Sequence, residues 1–355
     1  MKSEPSNSVP KVSVILSVRN GEIYLREAIE SILNQSFEDF ELIIVDNHST
    51  DSSAKIVESY DDARIILTKP EEPLHLAQAL NHAASMARGK FVARMDADDV
   101  SHPSRFEKQV AYLQEHSEVG ILGSQIRPID GGGNLITRGS YHKPESHADI
   151  ACSLFFGCPL WHPTAMLRKS VIDELGWYGS PIIAGREEYS TEDYDLWCRA
   201  IGQTQIHNLP EVLLDYRIHA DNHSLGSSRR RENLKNLVLI LRHHIKSSAE
   251  MDVSSGLCAA MLGLRMDEIA PIEDAGNIAS DFSNLTGLIR KILNEAKGNK
   301  LSSEAMHHLR DRLTAVSETV IWNKGFNIIR ECFSLCGTDW RIAVRVLLRS
   351  LRRFV

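Results

Sequence analysis

The pattern of apolar and polar positions divides the chain into two stretches of different character. Residues 11–18 (KVSVILSV) form a short apolar run rich in β-branched side chains, which predicts a buried strand. Over residues 22–35, Ile23, Ala28, Ile29, Ile32 and Leu33 recur at helical spacing. A second strand is predicted at 41–45 (ELIIV), ending in Asp46-Asn47, and Ser49 or Asp51 is placed to cap a helix at 52–60. A third strand follows at 64–68, a helix at 75–87, and a fourth strand at 90–95 that runs directly into Asp96-Ala97-Asp98-Asp99. Strands alternating with helices imply right-handed crossovers and a parallel sheet. In such sheets ligands bind beyond the carboxyl ends of the strands. Ser17 and Arg19, Asp46 and Asn47, and Asp96 and Asp98 all fall at those ends.

From about residue 103 the rhythm changes. Pro103 opens a helix to 115, residues 119–126 read as a strand, and Pro128 to Asn134 holds three glycines and makes a turn. A mixed region with no clear period extends to about 225. Beyond it, segments 229–246, 254–266, 278–297, 301–323 and 339–355 have helical apolar spacing. The expected organisation is therefore an α/β domain over 1–225 and a helical region over 226–355, divided at the small polar stretch Ser224–Ser228.

Composition narrows the function classes. A formal charge of −7 argues against a nucleic-acid partner for the chain as a whole, and 43% apolar residues suffice for a sizeable core. No apolar run approaches the roughly 20 residues needed to cross a bilayer. Met1 to Pro10 is polar and lacks an apolar leader core, so a cytoplasmic location is expected. The six cysteines form no CxxC pair and are expected as reduced thiols, Cys332 and Cys336 sharing a helix face without making a metal site.

Three acids in four residues directly after a buried strand repel one another unless a cation offsets them. Their hard oxygens suit Mg²⁺ or Mn²⁺. In the spacing Asp-x-Asp, one carboxylate can reach the metal while the other reaches ribose or a water ligand. The bland alternative is a solvated acidic turn capping the next helix. A second acidic group, Glu192-Asp193-Tyr194-Asp195, could supply a base to take a proton from a hydroxyl. It could equally be a helix start whose acids favour the dipole, and Asp193 could serve both purposes at once.

Taken together, these residues resemble the inverting family-two glycosyltransferases with the GT-A fold. The resemblance spans roughly 11–225 and rests on motifs in order: VSVILSVRNGEIYLREAIESILNQSFEDFELIIVDNHSTD (12–51), ALNHAASMARGKFVARMDADDVSHPSRFEKQV (79–110), HPTAM (162–166), EDYDLW (192–197) and YRIHADNHS (216–224). It implies a Rossmann-like, mostly parallel sheet flanked by helices. It implies a nucleotide-sugar donor held by Ser17, Arg19, Asn20, Glu22, Asp46, Asn47, Asp96 and Asp98. The family commonly has Asp-Asp where Asp46-Asn47 stands; an amide can still accept from uracil N3–H and donate to O4. The resemblance also implies Asp96 near the ribose, Asp98 on the metal, a metal contact for His219, and Asp193 as the base of a single in-line displacement that inverts the anomeric carbon. Bacterial enzymes that build surface polysaccharides share these features, so the implied acceptor is a saccharide or lipid-linked saccharide.

Two rivals fare worse. A nucleotidyltransferase would want a Gly-rich phosphate loop near the first strand, where only Gly21 stands. A non-catalytic scaffold would not need Asp96, Asp98 and Asp193 intact. His162, Trp161, Trp177 and Trp197 are expected mainly as packing residues. The last segment, 339–355, sets Arg341, Arg345, Arg349 and Arg352 on one helical face and Val344, Leu347, Leu348, Leu351 and Val355 on another. Such a helix suits an anionic lipid surface, which would put the enzyme peripherally on the cytoplasmic face of the inner membrane.

Overall fold

The computed structural model describes residues 9–139, 141–179, 191–219, 227–249, 253–262 and 264. Strands β1 (Val12–Val18), β2 (Phe40–Asp46), β3 (Ile65–Thr68) and β4 (Phe91–Asp96) form the parallel half of one sheet, in the order β3-β2-β1-β4. Helices α1 (Leu25–Leu33), α2 (Ser53–Glu58) and α3 (Leu76–Met86) make the crossovers. Val12, Val14, Ile15 and Leu16 are all fully buried, as a strand covered on both faces requires. Helix α1 buries Leu25, Ala28, Ile29 and Ile32, each contributing on the order of 1–3 kcal/mol of apolar burial. Ile23, expected on that apolar face, precedes the helix and is 76% exposed.

Register aligns the ends of these strands. Ser17 pairs with Val45 on one side and Asp96 on the other, and Val18 pairs with Asp46. Ser17, Asp46 and Asp96 therefore lie on one edge. The opposite end is tied by a polar network: Ser13 Oγ donates to Glu41 (2.6 Å), the Gly89 N–H donates to Ser13 Oγ (2.8 Å), and Arg88 ion-pairs Glu41 at 2.7 Å.

The second half of the sheet is mixed. It comprises β5 (Val100–Ser101), then α4 (Arg105–Glu115), β6 (Val119–Asp130), α5 (His147–Ser153), β7 (Met166–Arg168), α6 (Lys169–Leu175), α7 (Glu192–Ala200) and β8 (Gln205–Ile218). The full order is β3-β2-β1-β4-β7-β6-β8-β5. Strand β7 is antiparallel to both β4 and β6, β5 is antiparallel to β8, and β6 and β8 run parallel. The strand expected at 119–126 continues to Asp130 before the glycine turn.

Two compact units emerge: residues 1–147 with 159–226, and residues 148–158 with 227–355. Residues 148–158 group with the later residues in this division. In the second unit, α8 (Ser227–Ala249) and α9 (Ser255–Met261) bury Val238, Ile240, Leu241, Ile245, Cys258 and Ala259, and the Phe155 ring lies 5.5 Å from His244. The helices expected at 278–297, 301–323 and 339–355, with Cys332 and Cys336, lie outside the described residues. Cys152, Cys198 and Cys258 are buried and Cys158 is half-buried.

Candidate active site

The site begins where β4 ends. Asp96, Asp98 and Asp99 each present an oxygen such that all lie within 4.8 Å of one another. Strand β5 follows at once and pairs with β8 through Val100–Asp215 and Ser101–Leu214. Continued by two residues, that antiparallel register sets Asp98 across from Arg217. The contacts agree: Arg217 Nε donates to the Asp98 carbonyl (2.7 Å), the Arg217 N–H donates to Asp99 Oδ1 (2.9 Å), and His219 Nε2 lies 2.9 Å from Asp98 Oδ2. Burial, and then the neighbouring Asp96, raise the Asp98 carboxyl; His219 and Arg94 oppose that rise. Burial also holds Asp99 well above the usual carboxylate range, with Asp96 and Asp98 adding to it.

A divalent cation fits this turn. Asp99 Oδ2 is buried with no hydrogen-bond partner among the described residues, and three mutually repelling hard oxygens converge. Asp99, one of the three acids counted in the sequence, belongs to the cluster with Asp96 and Asp98; the family resemblance named Asp96, Asp98 and His219 as metal contacts. The structure places His219 on Asp98 rather than in the group of three carboxylates.

Asp96 makes an ion pair with Arg94, a buried arginine two residues earlier on β4. Burial alone would lower the Arg94 guanidinium, but Asp96 outweighs it and the net shift is upward. An arginine inside the apolar strand FVARM is the signal that could have drawn attention to it, since buried arginine demands an acid.

The first loop does not stand free. Asn20, at φ 57°, accepts from the Thr50 N–H (2.8 Å), the Gly21 N–H donates to Ser53 Oγ (2.9 Å), and the Glu22 N–H donates to Asp51 Oδ2 (3.0 Å). Glu22 Oε2 in turn accepts from the Ser52 N–H (2.9 Å). Asn20 and Glu22, expected to lie against the nucleotide, thus knit the loop after β1 to the loop after β2. Ser17 is half-buried beside Asp96 in register, and Arg19 is exposed. Asp46 is buried, accepts from the Ser49 N–H (3.0 Å) and lies 3.9 Å from Lys69. Asn47 is tied to the segment after β3. Its amide donates to the Leu74 carbonyl (2.7 Å) and accepts from the Leu74 N–H (2.8 Å), and it is 5% exposed. It grips the segment after β3 as a strand neighbour would.

Asp193 lies half-buried in the first turn of α7, where Glu192, Asp193 and Asp195 favour the helix dipole. Glu192 is buried on the same turn. Its Oε1 sits 3.7 Å from His162 Nδ1, and Oε2 has no hydrogen-bond partner among the described residues. Burial, with Asp193 beside it, pushes the Glu192 carboxyl up to about 8. His162 is held well below its usual range by burial and by Arg94, and its Nε2 lies 2.8 Å from the Tyr178 hydroxyl. The short helical turn His162–Thr164 is pinned by Thr164 Oγ1, which donates to the Trp161 carbonyl (2.8 Å). Trp197 is fully buried, the Trp161 indole N–H donates to the Tyr141 carbonyl (2.9 Å), and the Trp177 indole donates to Asp173 (3.0 Å). Trp197 and His162 are buried, whereas Trp161 and Trp177 are half-buried.

Residues 13–176 match the family described as Glycosyl transferase family 2. EpsE of Bacillus subtilis, itself only provisionally named a glycosyltransferase, is 36% identical over 238 residues, covering 66% of this chain and 82% of EpsE. The chain belongs to glycosyltransferase family 2. The O-antigen biosynthesis glycosyltransferase WbnJ of Escherichia coli is 37% identical over 215 residues, covering 59% of this chain and 80% of WbnJ. Among solved structures, S. aureus TarS with UDP-GlcNAc superposes at TM-score 0.55 and 18% identity over 87% of this chain and 81% of that one. The mannosyltransferase PcManGT of Pyrobaculum calidifontis, with GDP-Man and Mn²⁺, gives 0.51 and 17% over 91% and 90%. At those identities the likeness concerns the fold, which is of the GT-A kind, as the sequence motifs implied.

Proposed function

We propose that this glycosyltransferase moves a sugar from a nucleotide-sugar, a UDP-sugar being favoured, to a saccharide or lipid-linked saccharide acceptor, with a divalent cation and with inversion at the anomeric carbon. The observation that carries this reading is the carboxylate cluster at the end of β4, beside the crevice that the reversal of strand order leaves between the β1 and β4 ends. Open α/β sheets bind nucleotides at such crevices. PcManGT, a neighbour in fold, was solved with GDP-Man and Mn²⁺, and TarS with UDP-GlcNAc. Relatives such as WbnJ act in O-antigen biosynthesis, which supports a role in surface polysaccharide.

Asp98, with Asp96 and Asp99, would hold Mn²⁺ or Mg²⁺, which when bound acts as a Lewis acid on the leaving diphosphate. Asp96, anchored by Arg94, would contact the ribose. Ser17, Arg19 and Asp46 line the nucleotide crevice, with Asn20 and Glu22 shaping its loop and Asn47 holding its wall through Leu74. Asp193 takes the proton from the acceptor hydroxyl. Glu192 suits that task less: its raised carboxyl is largely protonated at neutral pH and cannot accept a proton there, whereas Asp193 shares the same turn with more access to solvent.

The basic segment 339–355 lies outside the described residues. Its docking on anionic lipid at the cytoplasmic face of a membrane is proposed from its arginine and leucine faces alone.

The direct test is hydrolysis of UDP-, GDP-, dTDP- and CMP-sugars without acceptor, with and without Mn²⁺. Mn²⁺-dependent release of one nucleoside diphosphate, lost in Asp98→Ala, is the expected result. Turnover that ignores the cation overturns the metal assignment, and turnover of no donor overturns the donor reading.

A further inference from the structure

Arg217 is 2% exposed and lies near the end of β8. Its contacts run in three directions. Toward the acid turn, Nε donates to the Asp98 carbonyl (2.7 Å) and the backbone N–H to Asp99 Oδ1 (2.9 Å). Toward the first helix, one terminal nitrogen donates to Glu27 Oε2 (2.6 Å), and the guanidinium lies over the Tyr24 ring at 4.6 Å. Toward β6, the other terminal nitrogen reaches the Asp130 carbonyl at 3.4 Å. The Tyr24 ring is also 5.0 Å from the His219 imidazole, the group that holds Asp98 Oδ2.

The chemistry of this arrangement is specific. A guanidinium offers its donors in a fixed planar fork, so one side chain can bind a carbonyl, a carboxylate and an aromatic face at once. Its side chain takes the carbonyl of Asp98 and leaves that residue's carboxylate to other partners. It thereby fixes the backbone of a turn whose three carboxylates repel one another, and adds a positive charge beside them. The same fork reaches Glu27, whose helix starts just after the loop carrying Arg19 to Glu22.

We propose that Arg217 is a positioning residue that holds the Asp98–Asp99 turn in its cation-binding shape and couples that turn, through Glu27 and Tyr24, to the donor loop after β1. The proposal rests on the metal-dependent reading above. Lysine at this position keeps the charge but is a single point donor, and cannot hold the Asp98 carbonyl and Glu27 together.

The test is calorimetric titration of Mn²⁺ alone into the full chain, with thermal melting to follow the fold. Arg217→Lys is expected to melt near the wild type and bind Mn²⁺ about 10- to 100-fold more weakly, the loss typical of an outer-shell partner. Glu27→Ala, at a largely exposed side chain, is expected to keep the fold and show a smaller loss of the same kind. If wild type fails to bind Mn²⁺, the metal reading falls and this proposal falls with it. If wild type binds and both variants bind equally well, only the positioning role is overturned. Should Arg217→Lys fail to fold, Glu27→Ala decides: weaker binding supports the coupling, and wild-type affinity overturns it.

Discussion

The two neighbouring acids at the start of α7 illustrate how one turn of helix can give adjacent carboxyls different surroundings. Asp193 keeps access to solvent, whereas Glu192 is enclosed with His162, Tyr178 and Arg94 nearby. Asp193→Asn preserves size and hydrogen bonding but removes basicity. Transfer is therefore expected to slow ~10²–10⁴-fold with donor affinity retained, measured as kcat on a defined acceptor and as nucleotide-sugar binding. Near-normal turnover in that variant would move the base elsewhere. Glu192 carries a different expectation. Its folded value of about 8 stands above the ordinary 4.5, so the stability it contributes is complete below about 4.5 and fades as pH rises toward 8. Glu192→Gln, neutral at every pH, should flatten that decline and resist urea better than wild type at pH 8. Parallel pH–stability curves for the two proteins would show that the carboxyl ionises without strain.

At the scale of elements, the parallel half of the sheet was legible because its strands are continuous apolar runs broken by helices of clear period. Its ends also announced the acid turn. The mixed half was not legible. Strand β7 has three residues and β5 only two, too short to carry a period. Strand β8 holds Pro210 and a run of exposed positions, Pro210 to Val212, within its fourteen residues, so its alternation fails midway. The site suffered accordingly. Asp99 and Arg217 acquire their meaning from the β5–β8 pairing, and Asn47 from a segment 27 residues away. Sequence spacing along one chain cannot show either. The hand-over from α3 to β4 offers a sharp test. A β-carbon at Gly89 would stand 2.6 Å from the Ser13 nitrogen and 2.8 Å from the Val12 carbonyl carbon, both immovable backbone of a central strand. Gly89→Ala should therefore cost about 1–3 kcal/mol, read as a lower midpoint in urea denaturation. An unchanged midpoint would mean that β1 and β4 can separate without penalty.

At the scale of the whole chain, no helix among the described residues is long and apolar enough to cross a membrane. The proposed attachment through 339–355 rests on its charge and apolar pattern. Asp339 against five arginines gives this segment a net +4 within a chain of −7. Each basic residue near an anionic surface is worth ~1 kcal/mol, screened over about 10 Å at 0.1 M salt. The full chain should pellet with phosphatidylserine vesicles at low salt and release at high salt. A chain ending at Asp339 should stay in the supernatant and still transfer to a short soluble acceptor. Aggregation of the shortened chain would assign the segment to packing instead. The grip of Asn47 on Leu74 bears on a different enterprise, the exchange of donor preference between relatives. The Asn47 amide meets the main chain of residue 74, 27 residues further on, so the contact depends on residue 47 and on the course of that segment. A chimera that imports one without the other leaves a buried amide or a backbone pair unmated, so the two should be inherited, and swapped, as a single cassette.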